Sequence, residues 1–349
     1  MASPTGWTPD TAQRNVTIED VARVAGVGRQ TVSNVLNGSG RVGAAARARV
    51  LEAVTQLGYH PHHGAQSLRS RRTMQLGYLM PQAQLLPQNL IMMQFLQALV
   101  IEASRRQYRV VVITAGGDPR DEMRRLISSR SVDAFVLSEL DYDDPRVALL
   151  HELGIPFACF GRIRTGLPQN WVDIDNAGAE AQVVRLLLDL GRTRLSFIGY
   201  ATGRYWDNER EAGFRAGLAS REVPGDSAGV LLVGDDLSAR DKIFSFIASA
   251  RPDAVVAGSD KIAVIVYGVA ADLNLRVGRD IAVVGFDGSI GADLMAPALT
   301  SVVMPVEDIA RRIVIRALRQ VEAGPDTEPG EILPFWLRRG DSIPLYSRT

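Results

Sequence analysis

Three of the four histidines, His60, His62 and His63, fall inside GYHPHHGAQSLRSRRT, and such a density first suggests zinc. A structural zinc site needs four ligands from His, Cys and carboxylate side chains. His62 and His63 are adjacent, so on a helix they diverge by about 100°, and no carboxylate or thiol lies nearby to complete the set. The one cysteine, Cys159, stands in the apolar run PFACF and reads as a buried thiol. It leaves no internal disulfide and no cysteine-rich metal site. The sequence therefore predicts no metal.

A second group has the chemistry of base recognition. Arg29, Gln30, Ser33 and Asn34 occupy one short segment. Arginine forms a bidentate contact with guanine, and glutamine or asparagine with adenine, in the major groove. Thr17, Thr31, Ser33 and Asn37 are short hydroxyl or amide groups suited to phosphate oxygens, which set register rather than sequence preference. A third group suits a polyhydroxylated ligand. Glu139, Asp260 and Asp287 end strand-like runs, and Trp206, Asn208 and Arg210 follow another within RYWDNERE. Carboxylates accept from vicinal hydroxyls, and an indole covers the apolar face of a sugar. In open parallel sheets, ligands bind beyond the carboxyl ends of the strands.

The elements around these groups are readable. Thr17 and Asp20 form a capping box before Ile18, Val21, Ala22 and Ala25, which share one helical face. Gly26 ends that helix. A second helix from about Arg29 to Asn37 places Val32, Val35 and Leu36 inside. A third, Ala44 to Leu57, places Val50, Leu51, Val54 and Leu57 inside. Two short helices, a glycine turn and a packing helix describe a helix-turn-helix head. From Met74 onward, strand-like runs such as QLGYLM, RVVVITA, AFVLSEL and PFACFG alternate with amphipathic segments. A second series, RLSFIGY, GVLLVGD, AVVAGSD and IAVVGFD, follows. That alternation is the βαβ signature of parallel sheets covered on both faces, here in two lobes.

Charge separates the two parts. Over 349 residues the formal net charge is zero, yet residues 1–73 hold nine arginines against four acids. A basic head implies a polyanionic partner. No G-x-G-x-x-G or G-x-x-x-x-G-K motif accompanies the strand–helix series of the body, so no nucleotide cofactor is expected. No apolar run is long enough to span a membrane. The polar start MASPTGWTPDTAQRN lacks a signal-peptide core, so the expected location is cytoplasmic, at the nucleoid. No heptad pattern follows Arg339, which favours a homodimer over a tail-mediated tetramer.

VTIEDVARVAGVGRQTVSNVLNG and ARARVLEAVTQLGYHP resemble the DNA-binding head of the lactose/galactose repressor family of bacterial transcription factors, and the likeness extends over essentially the whole chain. The resemblance implies an all-α head (16–59) behind a disordered tail (1–15), then a hinge helix (60–73). It further implies a two-lobed α/β effector domain (74–349) sharing its fold with periplasmic sugar-binding proteins. Lobe 1 is placed at about 74–160 and 292–326, and lobe 2 at 161–291 and 327–349. Arg29 and Gln30, with Asn34, become the leading base readers. Leu68 matches a leucine that wedges into the minor groove, Ala65 the small residue beside it, and Arg69, Arg71 and Arg72 lie near phosphates. Arg210, Asp260 and Asp287 become effector contacts, and Trp171 is read as a cleft residue or a packing one. Gly28 and the GAAAR start of the third helix depart from the family pattern, each removing a side-chain cap worth about 1 kcal/mol. Gly64 weakens the hinge helix by about 1 kcal/mol.

Together these readings point to a repressor that binds a pseudo-palindromic, double-stranded operator as a dimer. A small effector, a sugar or glycoside, would bind between the lobes. The alternative is a soluble sugar-binding protein or carbohydrate-active enzyme on the same lobes. The first needs export, and the second needs a catalytic set that is not evident.

Overall fold

The computed structural model describes residues 16–36, 40–59, 72–80, 90–114, 116–164, 166–167, 169–221, 229–234, 236, 238–325 and 329–343. The chain divides into two compact units, Met1–Thr73 and Met74–Thr349. The expected tail, Asn37, the histidine cluster, Gly64, Ala65, Leu68, Arg69 and Arg71 lie outside the described residues.

The first unit contains α1 (Ile18–Ala25), α2 (Arg29–Leu36) and α3 (Ala44–Leu57). The Thr17 hydroxyl accepts from the Asp20 N–H, and the Asp20 carboxylate accepts from the Thr17 N–H, so the capping box is complete. Gly26 closes α1 at φ 62°, a left-handed conformation that glycine adopts without a Cβ clash. Val21, Ala25, Val32, Val35, Val50, Ala53 and Tyr59 form the core, and Arg49 Nε donates to the Ala25 carbonyl. Leu51, expected inside, is 50% exposed, because the buried face of α3 runs through Val50 and Ala53. Gly43 leads α3 with no side-chain cap. Glycine at such a position forfeits only a few tenths of a kcal/mol relative to serine. The missing caps therefore cost less than the composition suggests.

The second unit holds two six-stranded sheets. The first has the order β11-β5-β4-β3-β1-β2, built from β1 (Gln75–Met80), β2 (Arg109–Thr114), β3 (Ala134–Leu137), β4 (Phe157–Phe160), β5 (Trp171–Ile174) and β11 (Glu331–Leu333). All its pairings are parallel. The second has the order β12-β10-β9-β8-β6-β7, from β6 (Leu195–Tyr200), β7 (Gly229–Val233), β8 (Ala254–Ala257), β9 (Ala282–Asp287), β10 (Thr300–Val303) and β12 (Trp336–Arg338). Only β12 runs antiparallel, against β10. Helices α4 (Leu90–Arg105), α5 (Pro119–Ser128), α6 (Pro145–Glu152) and α11 (Val306–Ala323) accompany the first sheet. Helices α7 (Asn176–Asp189), α8 (Tyr205–Ala219), α9 (Ala239–Ala250) and α10 (Asp260–Asp272) accompany the second. Among the described residues, no helix is long and apolar enough to cross a membrane.

The chain crosses between lobes later than the sequence suggests. WVDI forms β5 on the first sheet, pairing with β4 (Cys159 opposite Trp171), so the first crossing follows Ile174 rather than residue 160. β10 belongs to the second sheet, which moves the second crossing from 291 to just after Val303. In EILPFWLR the break falls at Pro334, which has no N–H to continue a ladder. Glu331–Leu333 pairs in the first sheet and Trp336–Arg338 in the second.

Helices α7 and α8 pack unusually close. A Cβ on Gly213 would lie 2.2 Å from the Ala177 carbonyl oxygen, and one on Gly217 would lie 2.6 Å from the Val184 Cβ. Two glycines four residues apart on one helical face let the backbones approach. That contact sets the position of Arg210 relative to Asn176.

Candidate functional site

In the head, α2 exposes Arg29 and Gln30 fully and Thr31, Ser33 and Asn34 partly. Arg29 Nε sits 3.2 Å from Glu19 Oε1, and Gln30 Nε2 donates to Asn34 Oδ1 at 3.1 Å. Thr17 is occupied as the helix cap. The head thus presents a polar helix face whose longest side chains rest on neighbours within the same unit.

In the body, a cleft of about 760 Å³ lies between the lobes. Lobe 1 supplies Ile91 and Met92 from α4, Glu139 beyond β3, Phe160 at the end of β4 and Asp173 in β5. Lobe 2 supplies Tyr200 at the end of β6, Thr202 and Arg204 from the following loop, Trp206 and Arg210 from α8, Ser259 just beyond β8, Lys261 from the first turn of α10 and Asp287 at the end of β9. Asn176 and Met304 enter from the crossings. Four residues expected from the sequence therefore meet here: Glu139, Trp206, Arg210 and Asp287.

Arg210, 4% exposed, organises the floor. Its Nε donates to Asn176 Oδ1 (3.0 Å) and its Nη1 to the Gly258 carbonyl (2.6 Å) and Asp287 Oδ1 (3.4 Å). The guanidinium lies 4.4 Å from the Trp206 ring centroid and 3.5 Å from that of Phe286. Burial pushes the Asp287 carboxyl well above the usual range, outweighing the Arg210 attraction. Burial likewise raises Asp207 to about 7, against the lowering effect of its hydrogen bond from Thr202. Trp206 Nε1 is buried and has no hydrogen-bond partner, so the cleft wall carries an unused donor.

Two expected residues are turned away. The Asp260 carboxylate accepts from the Ser289 N–H (2.7 Å) and the Ser301 hydroxyl (2.6 Å), bracing the ends of β9 and β10. It lines a neighbouring hollow with Leu90, Val264 and Met295, not the central cleft. Asn208 Nδ2 donates to the Arg204 carbonyl within α8. Trp171 is a packing residue, stacked by Arg162 at 5.1 Å and covered by Gly330, where a Cβ would clash with its ring. Among the residues that sequence reasoning missed, Phe160, Asp173, Tyr200 and Ser259 all sit within two residues of the carboxyl end of a strand. The strand-end rule, applied to every strand, would have found them.

A helix-turn-helix unit joined in one chain to a two-lobed unit with a polar interlobe cleft defines a ligand-responsive DNA-binding regulator. Comparison with known proteins agrees with that architecture. Residues 17–62 match the model for bacterial regulatory proteins of the lacI family, and 184–343 match the periplasmic binding protein-like domain. The chain is 32% identical over 329 residues to the HTH-type transcriptional regulator CelR of Thermobifida fusca, covering 91% of this chain and 95% of that one. It is also 32% identical over 279 residues to the regulator AglR of Rhizobium meliloti (strain 1021), covering 78% of each. The solved CelR–cellobiose complex superposes with a TM-score of 0.71 at 28% identity, covering 94% of this chain and 99% of that one. The lac repressor dimer bound to operator and the anti-inducer ONPF, at 23% identity, covers 94% and 99% with a TM-score of 0.81 and shares the fold. The chain belongs to the lacI family of bacterial regulatory proteins: it is a DNA-binding transcriptional regulator and not an enzyme.

Proposed function

We propose that the protein is a repressor whose operator affinity is set by a neutral sugar or glycoside held in the interlobe cleft. It acts in the cytoplasm as a homodimer on a pseudo-palindromic operator. The observation that carries the ligand class is the pairing of the cleft's carboxylates together with the polar groups left over. Glu139, Asp173 and Asp287 face Arg204, Arg210 and Lys261. The first two acids are already paired, to Arg204 (2.7 Å) and Arg162 (3.1 Å), and the third lies at 3.4 Å from Arg210. A cationic ligand would have to break one of these pairs and leave a buried charge uncompensated, which is strongly disfavoured. A neutral polyol instead finds carboxylate acceptors, guanidinium donors, the unpaired indole N–H and aromatic faces at Trp206 and Phe160. The related CelR in complex with cellobiose supports a saccharide ligand.

Arg29, Gln30 and Asn34 are the base readers, with Thr17, Thr31, Ser33 and Asn37 on phosphates and Ala65, Leu68 and Arg69 at the hinge. The test is fluorescence anisotropy on promoter fragments, titrated with a panel of neutral mono- and disaccharides that includes cellobiose. One sugar should shift operator affinity by about 5–150-fold, the usual range of a coupling free energy. If sugar phosphates or purines act while no neutral sugar does, the ligand assignment fails.

A further inference from the structure

We propose that the loop after β3 and the first two turns of α8 form a clasp that holds the two lobes closed with no ligand bound. The inference rests on the reading of the cleft as the effector site. Three crossings join the lobes, and hinged lobes of this kind can move between open and closed arrangements. A second tie is present. Arg204 of lobe 2 pairs with Glu139 of lobe 1 at 2.7 Å, with side chains 21% and 8% exposed. Asp141 and Arg204 form an isolated antiparallel bridge, and the Tyr205 N–H donates to the Leu140 carbonyl at 3.4 Å. The rings of Tyr142 and Tyr205 meet edge-on at 5.5 Å. One turn further along α8, Glu209 lies 3.5 Å from Arg162 of lobe 1, whose guanidinium also stacks on Tyr205 at 5.0 Å.

These contacts combine backbone pairing, ion pairing and ring packing in one place, and each is made between protein groups. The lobe 1 side is also set in advance. Glu139 has φ 52°, in the left-handed region that side-chain-bearing residues seldom occupy. Its carbonyl is held at 3.1 Å by Arg146, a buried side chain itself anchored on Asp144 at 2.6 Å. A backbone held in that conformation by buried partners keeps the carboxylate where Arg204 meets it, without help from a ligand. The clasp adjoins the site directly. Glu139 and Arg204 line the cleft, and α8 carries Trp206 and Arg210 between the clasp residues Tyr205 and Glu209 and just beyond. Arg162 also binds Asp173, a cleft acid, at 3.1 Å. Glu139 is therefore a closing residue before it is a ligand contact, and a sugar enters only when the clasp opens.

The experiment needs no ligand. Spin labels on Arg124→Cys in α5 and Ala248→Cys in α9, both exposed, report the separation of the lobes, and the buried Cys159 does not react. Double electron–electron resonance is recorded on the full-length, sugar-free protein diluted with unlabelled chains. The clasp predicts one narrow distance distribution. Arg204→Gln combined with Tyr205→Ala should broaden it toward longer distances, and Arg204→Glu alone should do the same. Adding Glu139→Arg to Arg204→Glu should restore the narrow peak, a rescue that general destabilisation would not produce. A broad distribution in the sugar-free parent protein, or a narrow one unchanged by the clasp variants, overturns the proposal. Because no sugar enters the measurement, a wrong assignment of the effector does not alter its outcome.

Discussion

The α7–α8 contact makes a prediction in which one substitution type has unequal effects at two sites. Gly213 in α8 and Gly268 in α10 are both interior helical glycines. Alanine at either gains about 0.8–1 kcal/mol of helix propensity, partly by restricting the unfolded chain. At Gly268 the new methyl meets only Arg240 Nη1, at 2.7 Å, the far end of a flexible side chain. Displacing it loosens the exposed Arg240–Asp272 pair, worth about 0–1 kcal/mol. The net change lies between about zero and a stabilisation of about 1 kcal/mol. At Gly213 the methyl meets backbone: Ala177 O at 2.2 Å, with its C and Cα at 2.8 Å. Carbon contacts are comfortable near 3.5–4.0 Å, so the two helices must part by about 1 Å. Overpacking of this kind costs about 1–3 kcal/mol, and a backbone obstacle places it toward the upper end. The net change is a loss of roughly 1–2 kcal/mol. At about 2–4 °C per kcal/mol for a unit of this size, calorimetry should place the melting temperature of Gly213→Ala roughly 2–12 °C below that of Gly268→Ala. Gly213→Ala should also weaken sugar binding, because Arg210 precedes it by one turn and leaves its 3.0 Å bond to Asn176. Equal melting temperatures for the two variants would refute the reasoning.

Two further outcomes follow from the buried charges. Glu180 is fully buried with Oε1 unpaired, and burial raises its pKa from 4.5 to about 8 despite nearby Arg210. The folded chain then holds a proton that the unfolded chain releases, so this group's contribution is fully present below about pH 4.5 and is lost progressively up to about pH 8. Glu180→Gln should flatten the fall in melting temperature between pH 5.5 and 8, and an unchanged slope would show that the carboxyl is ionised in the fold. Arg210→Met leaves Asp287, Asn176 and the Gly258 carbonyl without their donor. Breaking a buried pair costs about 3–5 kcal/mol. Both stability and sugar-induced stabilisation should drop, with Asp287→Asn restoring part of the stability but none of the binding. Sugar protection surviving in Arg210→Met would remove Arg210 from the site.

Much of the fold was legible because its signals are local. The Thr17–Asp20 box, the Gly26 stop and the alternation of apolar strands with helices need no knowledge of distant partners. The exposure of Leu51 was not legible, because the face of α3 that is buried depends on α1 and α2. The lobe boundaries failed for a related reason. A four-residue strand such as WVDI carries no mark of the sheet that will accept it, and only Pro334 announced a break. In the cleft, Arg210, Trp206, Asp287 and Glu139 were legible from strand ends and residue chemistry. The orientation of Asp260 was not, since Ser301, which holds it, lies 41 residues away. Nor was the Glu139–Arg204 pairing, which joins segments of different lobes.

On the proposed assignment of Arg29 and Gln30 as base readers, the pairing of Arg29 with Glu19, and of Gln30 with Asn34, makes reading DNA an exchange reaction. Each side chain must leave one acceptor to take another. Exposed pairs of this kind are worth about 0–1 kcal/mol, whereas a good bidentate base contact discriminates by about 1–3 kcal/mol. A guanine returns more than Glu19 supplied. A base that offers Arg29 no matching pair of acceptors returns about the same or less. The acid that holds the arginine in the free head thereby sets the threshold a base must exceed, so the choice of base rests on what Arg29 gives up as well as on what it gains.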